Sequence, residues 1–335
     1  MEITNRASVI KKYVEPDKLN IFRGVDNRIF EVDNKNITYY IPFTHYYKES
    51  DNVYKSWKKR YYFSSKSAEI IKNKKPTPGK NIGCNIHIIN CGHGDSILIE
   101  NRDEYAVIDF GGRDSYRQEE STESANHFAV DKKCDSCIVK YYKNHMRGKK
   151  IKTAVITHLH EDHIFDIDKV SQNFEIENLY MLKTYHGEKF KGKNNYKLLD
   201  KARADVINFV DIEDIKNRTV EPFKVGFAKF EIIGPVEDSE DLNGNSLVLL
   251  MTYNNMKVLF TGDMTKKAER SIIDHCRLNN INLKDISILK VAHHGSDTSS
   301  SKPFLNELGD NLTSLISSGI EDKCKQTEKL REKGI

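Results

Sequence analysis

Apolar residues recur along this chain in short alternating or continuous runs, and long amphipathic stretches are few. From residue 85 onward the runs predict strands over Asn85 to Asn90, Asp95 to Glu100, Tyr105 to Phe110 and Thr153 to Thr157. The same pattern predicts strands over Asn178 to Leu182, Phe227 to Ile233, Ser246 to Tyr253, Met256 to Phe260, Ile286 to Val291 and Ser314 to Ser317. Asn254-Asn255 suits a two-residue hairpin turn between two of them. Helices are predicted over Ile138 to Met146, Asp200 to Ala204, Thr265 to Asn279, Pro303 to Gly309 and Lys325 to Lys333. Strand hairpins mixed with helices indicate an α/β sandwich rather than a doubly wound sheet.

The first 80 residues follow a different pattern. Short aromatic and β-branched runs, Ile37 to Phe43 and Lys59 to Phe63, predict strands. A breaker-rich stretch from Lys72 to Lys80, with Pro76, Pro78 and Gly79, then reads as a linker. Two regions follow, 1–80 and 81–335. Within the second, residues 113–137 are polar, irregular and long enough to be a functional insertion.

Composition narrows the class. Of 335 residues, 38% are hydrophobic, enough for a packed core and against wholesale disorder. No apolar run approaches the roughly 18–20 residues of a membrane span. The first residues lack the apolar core of a secretory signal, so a cytoplasmic protein is expected. Six cysteines are too few for a disulfide scaffold, and Cys134-x-x-Cys137 has no second pair nearby, so it reads as two ordinary thiols.

Net charge is +4 but uneven: residues 1–80 carry 17 basic against 9 acidic residues, and residues 81–335 carry 36 against 40. The basic region also holds half of the sixteen tyrosines and the sole tryptophan, Trp57. Such interleaving can grip a nucleic-acid backbone and stack on its bases. It is equally what a chain rich in Lys, Asn, Ile and Tyr shows anywhere. Residues 1–80 are therefore a basic, aromatic region that suits nucleic acid or a protein partner.

The strongest chemical signal is His158-Leu159-His160-Glu161-Asp162-His163, directly after an apolar strand. In a strand-like exit His158 and His160 point the same way and can hold one metal. Asp162 and His163, entering a helix, can hold a second. Imidazole with carboxylate suits zinc, manganese or iron. Two later strands end in Thr261-Gly262-Asp263 and in Ala292-His293-His294-Gly295-Ser296. Each is modest alone; together they place more ligands at strand ends.

This ordered set, HxHxDH, then GD, then HHG, resembles the metallo-β-lactamase superfamily of binuclear hydrolases. Ile88 to Ile99 resembles the DVGQGDSILI opening of the branch containing the hydrolase domain of the DNA-uptake protein ComEC, and Val107 to Gly112 its LIDGG segment. Asn245 to Leu249 and Leu289 to Ser296 fit as well. The resemblance covers about residues 85–320 and implies an αββα sandwich with an extra N-terminal region. It implies His158 and His160 on metal 1, Asp162 and His163 on metal 2, and Asp263 bridging. His294 becomes the last metal-2 ligand, with His293 facing substrate as oxyanion contact or general acid; these two are interchangeable at this stage. Asn245 and Ser296 join His293 as substrate contacts, and Asp162 joins it as a catalytic residue.

Three departures are visible. The third metal-1 histidine of β-lactam-cleaving members is missing, since that place reads Leu242 to Ser246, and His186 lies too close to His163 to replace it. The ComEC-like branch lacks this histidine too. Ile164-Phe165-Asp166 stands where the family has Ile-Gly-Gly, so Phe165 is expected to reshape the pocket floor. The usual C-terminal HP segment is absent. The implied activity is that of a hydrolase using two divalent ions, zinc or manganese, with a bridging hydroxide as nucleophile. Phosphodiesters, and nucleic acid first among them, are the expected substrates. Alternatives are a small phosphorylcholine-like ester, or a component that docks a protein through residues 1–80.

Overall fold

The computed structural model describes residues 83–89, 91, 94–111, 137–148, 150–186, 194–309 and 312–317, and the backbone of short strands between Val9 and Lys72. The strands predicted in the first 80 residues overlap those backbone segments. The 72–80 linker, most of the 113–137 insertion, Cys134 and the Lys325 to Lys333 helix lie outside the described residues.

Two sheets form the region from residue 83 onward, joined by one strand from the first 80 residues. The first is built from β1 (Cys84–Ile89), β2 (Ile97–Asn101), β3 (Glu104–Ile108), β4 (Lys150–Val155), β5 (Glu175–Leu182) and β6 (Val206–Val210). They lie side by side in that order, and the strand Leu19–Gly24 runs parallel beside β1. The β1–β2–β3 part is antiparallel and pairs Ile97 with both Ile88 and Ile108; β3 through β6 run parallel. The second sheet has six strands in chain order. They are β7 (Phe223–Val225), β8 (Ala228–Gly234), β9 (Val248–Tyr253), β10 (Met256–Phe260), β11 (Ile286–Lys290) and β12 (Thr313–Leu315).

Strand β9 shows why these segments read as continuous apolar runs. Leu249, Met251 and Tyr253 face the core shared with the first sheet, whereas Val248 and Leu250 join a second cluster with Ile272, Ile273 and Phe304. A strand alternates its faces, so one covered on both sides needs apolar residues at every position. That second cluster lies under α6 (Lys266–Leu278) and α7 (Lys302–Glu307). On the first sheet, α1 (Cys137–His145) packs against α3 (Ile167–Asn173), and α3 against β5. The layers are helix, sheet, sheet, helix.

Most predicted strands fall within a few residues of the observed ones. The helix predicted over Asp200 to Ala204 is instead α4 (Asn194–Leu199), which Asp200 closes by donating its N–H to Tyr196. Strand β6 and helix α5 (Ile212–Lys216) were not anticipated. Val206, Ile207 and Phe209 of β6 are exposed at the sheet edge, so the strand lacks the in–out alternation that announces a buried one. Among the described residues no helix is long and apolar enough to cross a membrane.

Candidate metal centre

Parallel strands deliver chemistry at their C-terminal ends, and β4, β10 and β11 each end in a ligand-bearing segment. Beyond β4, Thr157 to His160 lies in no regular element, His160 is extended, and α2 (Glu161–Ile164) makes a single turn. This turn is clamped by its neighbours. Phe110 donates its N–H to the His163 carbonyl at 2.6 Å, and Asp95 donates to the Asp162 carbonyl at 3.1 Å. The approach is close enough to require glycine: a Cβ on Gly94 or on Gly111 would sit 2.2 Å from the Asp162 carbonyl oxygen.

Asp109 sets the ring orientations. It follows β3 with φ 59° and is buried among apolar strands. Its carboxylate accepts the Thr157 N–H and hydroxyl, each at 2.7 Å, and His163 Nδ1–H at 2.7 Å. His163 Nε2 is thereby turned toward Asp263 Oδ2, 3.3 Å away. Because the Thr157 hydroxyl donates to Asp109, its oxygen accepts from His158 Nδ1 at 3.1 Å. His158 Nε2 then faces His160 Nδ1 at 3.0 Å. One carboxylate thus fixes the tautomers of two imidazoles, as outer partners do around bound metals.

Asp263 follows β10 across Gly262, its N–H donating to Ser246 Oγ at 3.0 Å. Its side chain is 1% exposed, and Nε2 of His158, His163, His293 and His294 lies within 3.8 Å of Oδ2. Beyond β11, His293 and His294 both adopt left-handed backbone, with φ of 49° and 53°, before Gly295 at 84°. Consecutive non-glycine residues in that region are strained, of order 1–3 kcal/mol each. The strain aims both rings inward. His294 Nδ1 donates to the Ser317 carbonyl at 2.8 Å, and its Nε2 lies 3.4 Å from Asp162 Oδ2 and 3.5 Å from Asp263 Oδ2. Buried Lys290 pairs with buried Asp95 at 2.6 Å, and Asp95 also lies 3.5 Å from His294 Nδ1.

The electrostatics follow. Burial opposes charge on Asp263, yet His163 and His294 outweigh it and hold the carboxyl well below its ordinary range. Burial also opposes charge on these rings, but Asp263 with Asp109 raises His163 well above normal, and Asp263 with Asp95 raises His294 to about 10. His158 is pushed well below normal by burial and by His163. Burial lowers His293 as well.

Donor atoms of Asp162, His163, Asp263 and His294 lie within 4.8 Å of one another, as do those of His158, His160 and Asp263. The two groups share Asp263. Both Asp263 oxygens and His163 Nε2 are buried without a hydrogen-bond partner, a costly arrangement that a cation relieves. The residues present therefore fit a pair of divalent cations with mixed nitrogen and oxygen ligands.

The structure thus brings together His158, His160, Asp162, His163, Asp263 and His294. His293 lies beside them but outside both groups, its Nε2 3.8 Å from Asp263 Oδ2. Asn245, expected to meet substrate, bonds within its own loop. Its amide donates to Asp238 at 3.1 Å and to the Ser239 carbonyl at 2.8 Å, and its oxygen accepts the Ser239 N–H. Ser296 is part-exposed and accepts from Thr298. His186 joins neither group and packs its ring on Phe209. Phe165 has helical φ of −56°, so the position needs no glycine. Asp109, Thr157, Asp95, Lys290 and Ser317 were given no role in the sequence reading; the available signal was a charged or polar residue inside or at the end of an apolar run.

The chain matches the Metallo-beta-lactamase superfamily over residues 89–312 and belongs to it. Among curated relatives it is similar to ComE operon protein 3 of Bacillus subtilis, 27% identical over 241 residues, covering 71% of this chain and 29% of that protein. It is also similar to competence protein ComA of Neisseria gonorrhoeae, 35% identical over 97 residues, 29% of this chain and 13% of that protein. These matches support the ComEC-like branch. The chain spans less than a third of the length of either relative. Among solved structures, zinc-bound PqqB from Methylobacterium extorquens is 10% identical, with a TM-score of 0.38 over 72% of this chain and 84% of that one. YhfI from Bacillus subtilis is 13% identical, with a TM-score of 0.31 over 59% of this chain and 63% of that one.

Proposed function

We propose that this chain is a metal-dependent phosphodiesterase acting on nucleic acid. The observation that carries the reading is the pair of ligand groups sharing Asp263. His158 and His160 would hold one cation, Asp162, His163 and His294 the other, with Asp263 common to both. A bound divalent pair, zinc or manganese, activates water and neutralises charge on the oxygens of a phosphodiester. The chain's own residues do the rest. Asp109 and Asp95 hold the imidazoles in register, Gly94 and Gly111 let the flanking loops close on α2, and His293 offers a ring nitrogen beside the ligands.

Charge in the sequence around helix α4 supports a polyanionic substrate. Residues 183–203 carry seven Lys and Arg against two acidic residues, whereas the rest of 81–335 carries 29 basic and 38 acidic. Helix α4 of this stretch packs against α2, which carries Asp162 and His163. Lys197, Lys201 and Arg203 are exposed. Clustered cations of this kind favour a phosphate backbone.

Incubation of plasmid DNA and single-stranded RNA with the purified protein and added manganese or zinc, beside Asp162→Ala, tests the reading. Cleavage by the wild type only is expected. Metal bound without cleavage of either polymer would instead indicate a small ester or a missing partner.

A further inference from the structure

We propose that Thr298 is a positioning residue for His293 and decides which ring nitrogen faces the metal centre. His293 Nδ1 lies 2.7 Å from Thr298 Oγ1. The Thr298 hydroxyl is already used as a donor, to Ser296 Oγ at 3.1 Å, so the ring meets its lone pairs. Nδ1–H is therefore the donor of the His293 contact, as in a neutral imidazole that carries its single proton on Nδ1. Nε2 is left as an acceptor, and Nε2 is the nitrogen 3.8 Å from Asp263 Oδ2. In its neutral state His293 thus presents a lone pair to the site.

Thr298 is exposed, yet its backbone is held. Lys266, at the start of α6, donates its N–H to the Thr298 carbonyl at 3.1 Å. Three residues further along α6, buried Glu269 accepts the N–H of Ser300 and, at 2.9 Å, that of Ser301. Ser300 itself is buried with φ 53°. On the other side the His293 N–H donates to the Gly262 carbonyl at 3.1 Å. The ring is held at its backbone and at Nδ1 by two loops, each anchored to a strand or helix end. A hydroxyl on so fixed a segment selects a ring orientation at little entropic cost.

The tautomer stands on this geometry alone, whereas its effect on turnover rests on the phosphodiesterase reading. The test uses the full-length, zinc-loaded protein and its Thr298→Val and Thr298→Ser variants. Imidazole nitrogen shifts of His293 are recorded by NMR, and hydrolysis of bis(4-nitrophenyl) phosphate is followed beside them. The wild type and Thr298→Ser are expected to carry the neutral proton on Nδ1. Thr298→Val is expected to lose that preference and about 10-fold in kcat, with KM, bound zinc and melting temperature unchanged. An Nε2-protonated ring in the wild type, or a wild-type tautomer in Thr298→Val, overturns the proposal. If none of the three proteins cuts the diester, the phosphodiesterase reading fails and the nitrogen shifts still decide the role of Thr298.

Discussion

The two ligand groups that meet at Asp263 are supported very differently. In one, His163 is tied to Asp109, His294 to Ser317 with Asp95 alongside, and Asp162 sits on a helical turn clamped by two loops. In the other, His158 is tied through Thr157 to the same Asp109, while His160 is part-exposed at the mouth of the site. The first group offers four protein ligands and the second three. Preorganised ligands bind more tightly because less ordering accompanies binding. The same fold thus builds one cradle of four tied donors and one of three, with a single carboxylate joining them.

Removing the shared carboxylate should have the largest effect. Asp263→Ala is expected to lose both metals and about 1,000-fold in hydrolysis, the several kcal/mol that Lewis-acid stabilisation supplies. Wild-type metal content in that variant would break the idea of a common ligand. Next in size is Asp109→Asn, expected to weaken metal binding at the four-ligand group by about 10- to 100-fold, measured by competition with a chelator. Thr157→Val, which removes the His158 partner but leaves Asp109 bonded to His163 and to the Thr157 N–H, should cost less; a larger loss there would invert the comparison. His160→Ala should release one metal per chain and keep the other, as elemental analysis would report. A second metal retained at wild-type affinity would show that His160 is no ligand.

The smallest effect concerns pH. In metal-stripped protein the raised His294 favours the fold while protonated. That contribution is complete below about pH 6.5, the ordinary value for histidine. It is lost as pH rises toward about 10, where the folded-state group titrates. The melting temperature of stripped protein should fall across this window, and less so in Asp263→Asn, which lacks the main partner. Equal slopes in both proteins would remove Asp263 as the cause.

Much of this was legible in the sequence, for a physical reason. Strands buried on both faces must be apolar throughout, so β9, β10 and β11 announce themselves, and a histidine or aspartate at the end of such a run stands out. His158, His160, Asp162, His163 and Asp263 stood out in that way, and the last ligand was narrowed to His293 or His294. Asp109 and Asp95 were quoted with their motifs but given no role, because a carboxylate that orients a ligand has no spacing of its own. Thr298 went unnoticed for the same reason: its partner is a ring five residues earlier across a loop. Asn245 is a different case. The resemblance set it among the substrate contacts, and its side chain holds the turn from Asp238 to Ser246. Helix α4 was displaced by several residues because its apolar face is short: Tyr196, Leu198 and Leu199 reach the core within a single turn, too brief a stripe to fix the helix bounds.

Calorimetric titration of the metal-stripped protein with zinc tests the paired centre most directly. Two binding steps are expected, one ion each, the second at least about 10-fold weaker than the first. Asp263→Ala should show neither step. A single ion at saturation, or two ions of equal affinity that persist in Asp263→Ala, would contradict a centre built on one shared carboxylate.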